Sequence, residues 1–226
     1  IAHRAGGKVT WLKSQWKLSA YPAHFCVEIY NAALQITPSP QFPHSSINRF
    51  GRHFANCIRR DRPRPNDKWH MDEVVITIRG KKHWLWRAID ANGDVLDILV
   101  QTRRNAKAAK RFLQRLVAQF DEPRVVITDK LRSYIKPIKT LAPDADHRAH
   151  KGLNNAIEVS HRPTRKREKM FGRFKSHRQA QRFLSAHDQN NLIFRPRRYQ
   201  ITATSYRHAR NDAFSLWADY TAEMAA

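Results

Sequence analysis

The chain has 226 residues, of which 41% are hydrophobic and 10% aromatic, so it is long enough for one folded core with a smaller extension. Lysine and arginine number 42 against 19 aspartates and glutamates, and the formal net charge of +23 indicates a polyanionic partner, with nucleic acid as the leading candidate. No apolar run approaches the roughly 18 residues that cross a bilayer, and no signal-peptide pattern opens the chain, which argues against a membrane role and predicts a soluble intracellular protein.

The first predicted elements lie before a proline-rich step. Residues 1–46 contain the stretch TPSPQFPHSS and begin with Ile1 rather than Met, and we interpret them as an atypical or truncated N-terminal segment. Residues 47–66 cover a predicted helix, in SINRFGRHFANCIRR, and the linker DRPRPND, whose prolines end that helix. A domain boundary is therefore expected at about residue 67.

Three strands joined by tight turns follow and predict an antiparallel meander. Residues 68–79 alternate apolar and other side chains, Gly80 supplies a turn, and residues 83–90 form the second strand. The sequence ANGD at 91–94 is typical of a hairpin turn because Asn and Gly tolerate positive φ angles. Residues 95–102 form the third strand.

The chain then alternates helices with short strands. Asn105 is a plausible cap for a helix with one apolar face that ends near Phe120, and the wholly apolar run VVITD predicts a central strand covered on both faces. A helix at 131–141, a short strand near His147 and basic helices from Asn154 onward complete the pattern.

This order predicts an α/β domain of the ribonuclease-H-like fold. In that fold a three-strand antiparallel meander is extended by parallel strands, and helices cover both faces of the mixed sheet. We assign residues 67–195 to this core and residues 196–226 to a C-terminal helical tail.

Two aspartates are predicted to meet at one edge of this sheet. Asp72 shares a strand face with His70, Val74 and Ile76 by period-two alternation, and a buried carboxylate must be paired, protonated or bound to a metal. Asp129 follows the central strand, and ligand sites of open sheets collect at the carboxyl ends of strands. If the two strands are neighbours, the carboxylates face each other and suit a hard divalent cation.

A third carboxylate, Glu158, lies 29 positions after Asp129, at the start of a predicted helix. His161, Arg162 and Arg165 would share its helix face and could hold phosphates. Pro163 predicts a kink or a restart of that helix.

Each carboxylate also has a purely structural interpretation. Asp72 could be an ion-pair partner, Asp129 a helix cap and Glu158 a first-turn acid that the helix dipole favours. Glu73 points to the other strand face and Glu168 lies within a basic helix, so neither is predicted to join the site. The sequence HRAH at 147–150 indicates zinc only weakly because no second ligand pair stands near it.

Several motifs together resemble one enzyme family. DRPRPNDKWHMDE, LWRAIDANGDVLDILVQTRRNAKAAKRFL, ITDKLRSY, NNAIEVSHRPTRKREKMFGRFKS and AQRFLSAH follow one another as in bacterial insertion-sequence transposases of the DDE type, in the group called insertion sequence family six. The resemblance runs from about Asn48 to the C-terminus. It implies a catalytic core of the retroviral-integrase superfamily and places the acidic triad on Asp72, Asp129 and Glu158.

The resemblance further implies metal-dependent cleavage and strand transfer at insertion-sequence ends. Two Mg²⁺ ions, for which Mn²⁺ can substitute, would be held by the triad. Family members carry an N-terminal helix-turn-helix that residues 1–46 do not resemble. An inactive DNA-binding remnant of a decayed transposase and a purely hydrolytic ribonuclease-H-like nuclease therefore remain as alternatives.

The expected partner is double-stranded DNA, both transposon ends and target. The densest basic stretch should contact its phosphates and comprises His161, Arg162, Arg165, Lys166, Arg167, Lys169, Arg173 and Lys175. A solvated helix face without a ligand is the other interpretation of this stretch. The resemblance also implies a homodimer or higher oligomer on DNA and a bacterial cytoplasmic, nucleoid-associated location.

Overall fold

A computed structural model describes residues 45–129, 131–170, 174–194 and 201–225. The segment predicted as atypical, residues 1–46, lies almost entirely outside them. Within this part the strands are β1 (Lys68–Ile78), β2 (Lys81–Asp90), β3 (Val95–Gln101), β4 (Val125–Thr128) and β5 (Asp146–Ala149). The helices are α1 (Ser45–Asp61), α2 (Ala106–Phe120), α3 (Ile135–Leu141), α4 (Asn155–Ser160), α5 (Arg162–Met170), α6 (His177–Phe194) and α7 (Ala203–Ala225), with short 3₁₀ turns at Arg132–Tyr134 and Lys151–Leu153.

The strands form one five-stranded mixed sheet in the order β3-β2-β1-β4-β5. β1, β2 and β3 are antiparallel neighbours, whereas β4 pairs parallel to β1 and β5 pairs parallel to β4. A meander extended by parallel strands is the arrangement that the order of elements predicted. The ribonuclease-H-like fold class is therefore confirmed.

The turns of the meander follow the expected local chemistry. Gly80 and Gly93 have φ angles of 76° and 73°, a region where a side chain would be strained. In the second turn the carboxylate of Asp90 accepts the backbone N–H groups of Asn92 and Asp94 at 2.8 and 3.0 Å. Asp90 is thus a turn-forming residue.

The main core lies between one face of the sheet and the helices α2 and α3. It joins Trp69, Met71 and Trp86 from the strands to the apolar side of α2, formed by Ala108, Ala109, Phe112, Leu113 and Leu116. The predicted cap is present, because the Asn105 side chain accepts the N–H of Ala108. The predicted helix at 131–141 is instead a 3₁₀ turn followed by α3.

The opposite face of the sheet contacts α4, which packs on β1 and β2. α6 covers the free edge of β3, since the Gln181 side chain accepts the N–H of Val100 at 2.7 Å and donates to the carbonyl of Ile98 at 3.1 Å. Helices therefore cover both faces of the sheet. At the β3 edge, side chains of α6 form hydrogen bonds with backbone groups that have no neighbouring strand.

Two compact units divide the chain, Asp61–Asp188 and a second that joins residues up to Arg60 to those from Gln189 onward. In the second unit, the buried rings of Phe54 and Trp217 stack with centroids 3.9 Å apart and planes 4° from parallel. Cys57 and Ile58 of α1 and Phe194 and Tyr220 belong to the same cluster. None of the helices in the described ranges combines the length and apolar content needed to cross a bilayer.

Candidate active site

Parallel pairing of β1 with β4 brings Asp72 and Asp129 together. Met71 is in register with Thr128, the last residue of β4, so the two aspartates occupy the next position on each chain. Carboxylate oxygens of Asp72, Asp129 and Glu73 all lie within 4.8 Å of one another. We call these three residues the carboxylate cluster.

Glu73 in this cluster corrects an expectation. As predicted, Glu73 and Asp72 lie on opposite faces of β1. Glu73 pairs with Trp86 of β2 and shares its face, whereas Asp72 pairs with Arg87. However, β4 ends at Thr128, and within the described part of the chain no strand flanks β1 on that side beyond Met71. Side chains from both faces of β1 can therefore converge around the open edge, and Glu73 lies beside Asp72 and Asp129 although it was predicted to lie away from them.

The Glu73 carboxylate is fully buried and has two strong partners. The phenol of Tyr134 donates to one of its oxygens at 2.6 Å, and the Arg104 guanidinium binds the other. Burial raises the pKa of Glu73 to about 7, although the hydrogen bonds from Tyr134 and Arg104 oppose that rise. Arg104 also reaches Asp129, with Nη2 and Oδ2 3.3 Å apart.

On the other face of β1, Asp72 is bound by a buried histidine. The His161 Nε2 atom lies 3.2 Å from Asp72 Oδ2, and a carboxylate can only accept, so Nε2 carries the proton. Burial lowers the pKa of His161, although the hydrogen bond to Asp72 opposes this. The ring therefore acts as a neutral donor at pH 7.

A buried ion pair supports this contact. Arg87, directly opposite Asp72 on β2, lies 2.7 Å from Asp188 of α6, and both side chains are at most 3% exposed. The same guanidinium donates to the Ser160 carbonyl and the Thr164 hydroxyl. Arg87 thus fixes the junction of α4 with α5, which holds His161.

Glu158 lies on the exposed side of α4, and the structure does not bring it into the carboxylate cluster. Both ends of α4 are attached to β1. At its start the Asn154 side chain donates to the carbonyl of Met71 at 3.0 Å rather than capping the helix, and at its end His161 binds Asp72. Pro163 lies in α5, which begins anew at Arg162, so the predicted kink or restart is a restart.

The predicted basic stretch divides into inward and outward residues. His161 and Arg167 are 4% and 5% exposed. They belong to the interior, so their assignment to a DNA-contacting surface is corrected. Arg173 lies outside the described residues. The exposed members are Arg162, Arg165, Lys166, Lys169 and Lys175.

Two other sequence predictions concern residues beside the site. Glu168 is an ion-pair partner as expected: it lies 3.6 Å from Arg165 and accepts the N–H of Thr77 at 2.9 Å. In HRAH, His147 Nε2 lies 2.9 Å from the Thr128 hydroxyl. That histidine therefore has a structural partner.

Arg104, Tyr134 and Arg87 were missed by the sequence interpretation. Arg87 had a usable signal, because a two-residue turn at 79–80 fixes the hairpin register and places it opposite Asp72. Arg104 and Tyr134 lie outside the strands, in segments whose approach to Glu73 depends on tertiary packing.

A protein-family model described as a DDE domain matches residues 66–196. The transposase for insertion sequence-like element IS431mec from Staphylococcus aureus (strain Mu50) is 37% identical over 139 residues, which cover 57% of this chain and 61% of that protein. The transposase for insertion sequence element IS257 in transposon Tn4003 gives the same values. The chain thus spans about 61% of the length of these curated relatives.

Solved structures with a similar shape include two integrase cores. The catalytic core domain of BIV integrase is 15% identical with a TM-score of 0.45, covering 58% of this chain and 86% of that one. The HTLV-2 integrase catalytic core in complex with magnesium is 13% identical with a TM-score of 0.40, covering 67% and 85%. Because the DDE-domain model matches more than half of the sequence, the chain belongs to the DDE-domain family.

Proposed function

We propose that this protein is a DNA transposase that cleaves and joins strands at insertion-sequence ends, with Asp72, Asp129 and Glu158 as its catalytic residues. The observation that carries the proposal is the meeting of Asp72 and Asp129 at the carboxyl end of β4, inside a DDE domain. The curated relatives are named as transposases, which supports the reaction class.

The carboxylate cluster fits a divalent metal site. Carboxylates this close repel one another, and hard oxygen donors are the ligands that Mg²⁺ and Mn²⁺ prefer. Asp72 and Asp129 would hold the metal, and Glu158 would join them if α4 presents it to the cluster. Two Mg²⁺ ions, or Mn²⁺ in their place, would stabilise the attacking and leaving oxygens of an in-line phosphoryl transfer.

The protein's own residues position the reacting groups. His161 orients Asp72 by donating to Oδ2, and the N–H of Leu131 orients Asp129 by donating to Oδ1 at 3.0 Å. Such support favours catalysis by positioning, with no covalent enzyme intermediate.

DNA phosphates would be held by the exposed cations of α5 and the segment after it. Lys166, Lys169 and Arg162 extend into solvent, whereas Arg165 also donates to the carbonyl of Val75 at 2.6 Å. These contacts add sequence-independent, salt-sensitive affinity. The net charge of +23 supports double-stranded DNA as the partner.

Three further expectations belong to this proposal. The chain acts as a homodimer or higher oligomer on paired DNA ends, and it works in the bacterial cytoplasm near the nucleoid. Residues 67–195 form the catalytic core, preceded by the helix and linker at 47–66 and followed by the tail at 196–226.

The test is strand transfer of a labelled, pre-cleaved oligonucleotide that carries the element's end into plasmid DNA with Mg²⁺ or Mn²⁺. The wild type should yield joined product, and Asp72→Asn and Asp129→Asn should each remove it. Asp144→Asn, an exposed aspartate, makes the same charge change away from the cluster and should keep full activity. Nicking without joining would identify a hydrolytic nuclease, and binding without turnover a DNA-binding remnant.

A further inference from the structure

Arg104 occupies a central place in the carboxylate cluster. Its guanidinium binds the buried Glu73 and extends to Asp129, and it lies over the ring of Trp84 with 5.0 Å to the centroid. The side chain is 34% exposed, so it approaches the cluster from the solvent side. One fixed positive charge thus serves two of the three carboxylates.

The two carboxylates differ in how firmly they are held. Glu73 has no exposed side-chain surface and also accepts from the Tyr134 hydroxyl, so it cannot leave Arg104 without remaining buried and under-compensated. Asp129 is about one-third exposed, and its Oδ2 contact with Arg104 is long at 3.3 Å. Asp129 Oδ2 is therefore the oxygen free to exchange partners, while Oδ1 stays with the N–H of Leu131.

We propose that Arg104 is a positioning residue that serves as the resident counter-ion of the carboxylate cluster, and that Asp129 exchanges Arg104 for a divalent cation when one binds. This inference rests on the proposed metal site. A guanidinium and a divalent cation repel each other, so both cannot be equally close to Asp129. Glu73 keeps Arg104 nearby after the exchange.

The exchange has a thermodynamic consequence that a purely structural arginine would lack. Arg104 stabilises the metal-free cluster, so its removal should destabilise the protein in chelator more than in metal. A ligand that binds only the folded state stabilises it in proportion to the logarithm of its affinity. Because Arg104 and the metal ion compete for Asp129, removing Arg104 should also tighten metal binding.

The test compares Arg104→Gln with Arg103→Gln, which makes the same charge change at the exposed neighbouring residue. Mn²⁺ binding is measured by electron paramagnetic resonance, and melting temperature is measured in chelator and in saturating Mn²⁺. We expect Arg104→Gln to bind Mn²⁺ about tenfold more tightly than Arg103→Gln. We also expect Arg104→Gln to lower the melting temperature, relative to wild type, by less in saturating Mn²⁺ than in chelator. Equal or weaker binding, or an equal loss in both conditions, would overturn the inference.

A second pair of variants allows for misfolding of Arg104→Gln. Glu73→Gln keeps an acceptor for Tyr134 without the buried charge, so Arg104→Gln can be made in that background without leaving a fully buried carboxylate unpaired. The double variant should still bind Mn²⁺ more tightly than Glu73→Gln alone, and equal binding would overturn the exchange. If neither the wild type nor any variant binds Mn²⁺, the proposed metal site fails together with this inference, whereas binding that is lost in Asp72→Asn but insensitive to Arg104 overturns the inference alone.

Discussion

Replacing Arg87 by Met should remove a large share of the stability of the unit that contains the sheet. Arg87 and Asp188 are 1% and 3% exposed in their side chains and 2.7 Å apart, and Arg87 also supplies donors to Ser160 and Thr164. Breaking a buried pair from one side costs about 3–5 kcal/mol because the remaining charge stays buried. Net protein stabilities are only about 5–15 kcal/mol, so the unfolding midpoint should move far.

The assay is urea unfolding followed by circular dichroism, with the free energy of unfolding taken from the midpoint and slope. Arg124→Met is the matched control, since Arg124 pairs with Asp67 at 2.9 Å while both side chains are more than half exposed. An exposed pair contributes only about 0–1 kcal/mol.

A double variant tests whether the cost comes from the unpaired charge. Arg87→Met combined with Asp188→Leu replaces both charges by apolar groups, and it should cost less than Arg87→Met alone. A loss within about 1 kcal/mol of the Arg124→Met control would contradict the large contribution expected of the buried pair. So would a double variant whose loss equals the sum of the single losses.

Three further predictions concern a buried histidine, a helix cap and an aromatic stack. Burial lowers the pKa of His187 below its ordinary value of 6.5, although hydrogen bonding to a neighbouring aspartate opposes this. The unfolded chain therefore takes up a proton that the folded state excludes. Stability is fully present above pH 6.5 and falls as the pH drops towards the lowered pKa; urea midpoints at pH 7.5 and 5.5 should differ more for the wild type than for His187→Gln. Asn105→Ala should cost about 1 kcal/mol in urea unfolding, because its side chain accepts the N–H of Ala108 at 3.0 Å, and Asn105→Asp should cost little. Trp217→Ala should cost about 3–5 kcal/mol, because the ring is 1% exposed and stacks on Phe54, and an unchanged melting curve would contradict that packing.

The sequence could predict the fold because local and global signals agree. Period-two alternation, the ANGD turn and the apolar run before Asp129 each specify one element, and their order leaves few arrangements of the sheet. The approach of Asp72 to Asp129 followed from the same pattern, since parallel neighbours present the same strand end at one edge.

The positions of Glu73, Arg104 and Tyr134 in the site depend on the three-dimensional packing of the strands and loops. β4 ends at Thr128, opposite Met71, and this opens the edge at which Glu73 reaches the cluster. No residue pattern in β1 reports that end point. The same limit applies to Arg104 and Tyr134, whose approach to Glu73 is set by packing between segments distant in sequence.

The exposed cations were predicted as one helix face, but the structure turns part of the stretch inward. α4 ends at Ser160, so His161 caps it and contacts Asp72 from a buried position, whereas Arg165 is exposed. A proline signals a discontinuity, but it does not determine which side chains face inward after it.

Strand transfer by Glu158→Gln, compared with Glu168→Gln, tests whether Glu158 belongs to the active site. Both changes remove one negative charge from the α4–α5 region, but Glu168 has a structural role in accepting the N–H of Thr77. We expect joined product to disappear in Glu158→Gln and to persist in Glu168→Gln, with DNA binding retained by both. Joined product at the wild-type level in Glu158→Gln would contradict the assignment of Glu158 to the active site.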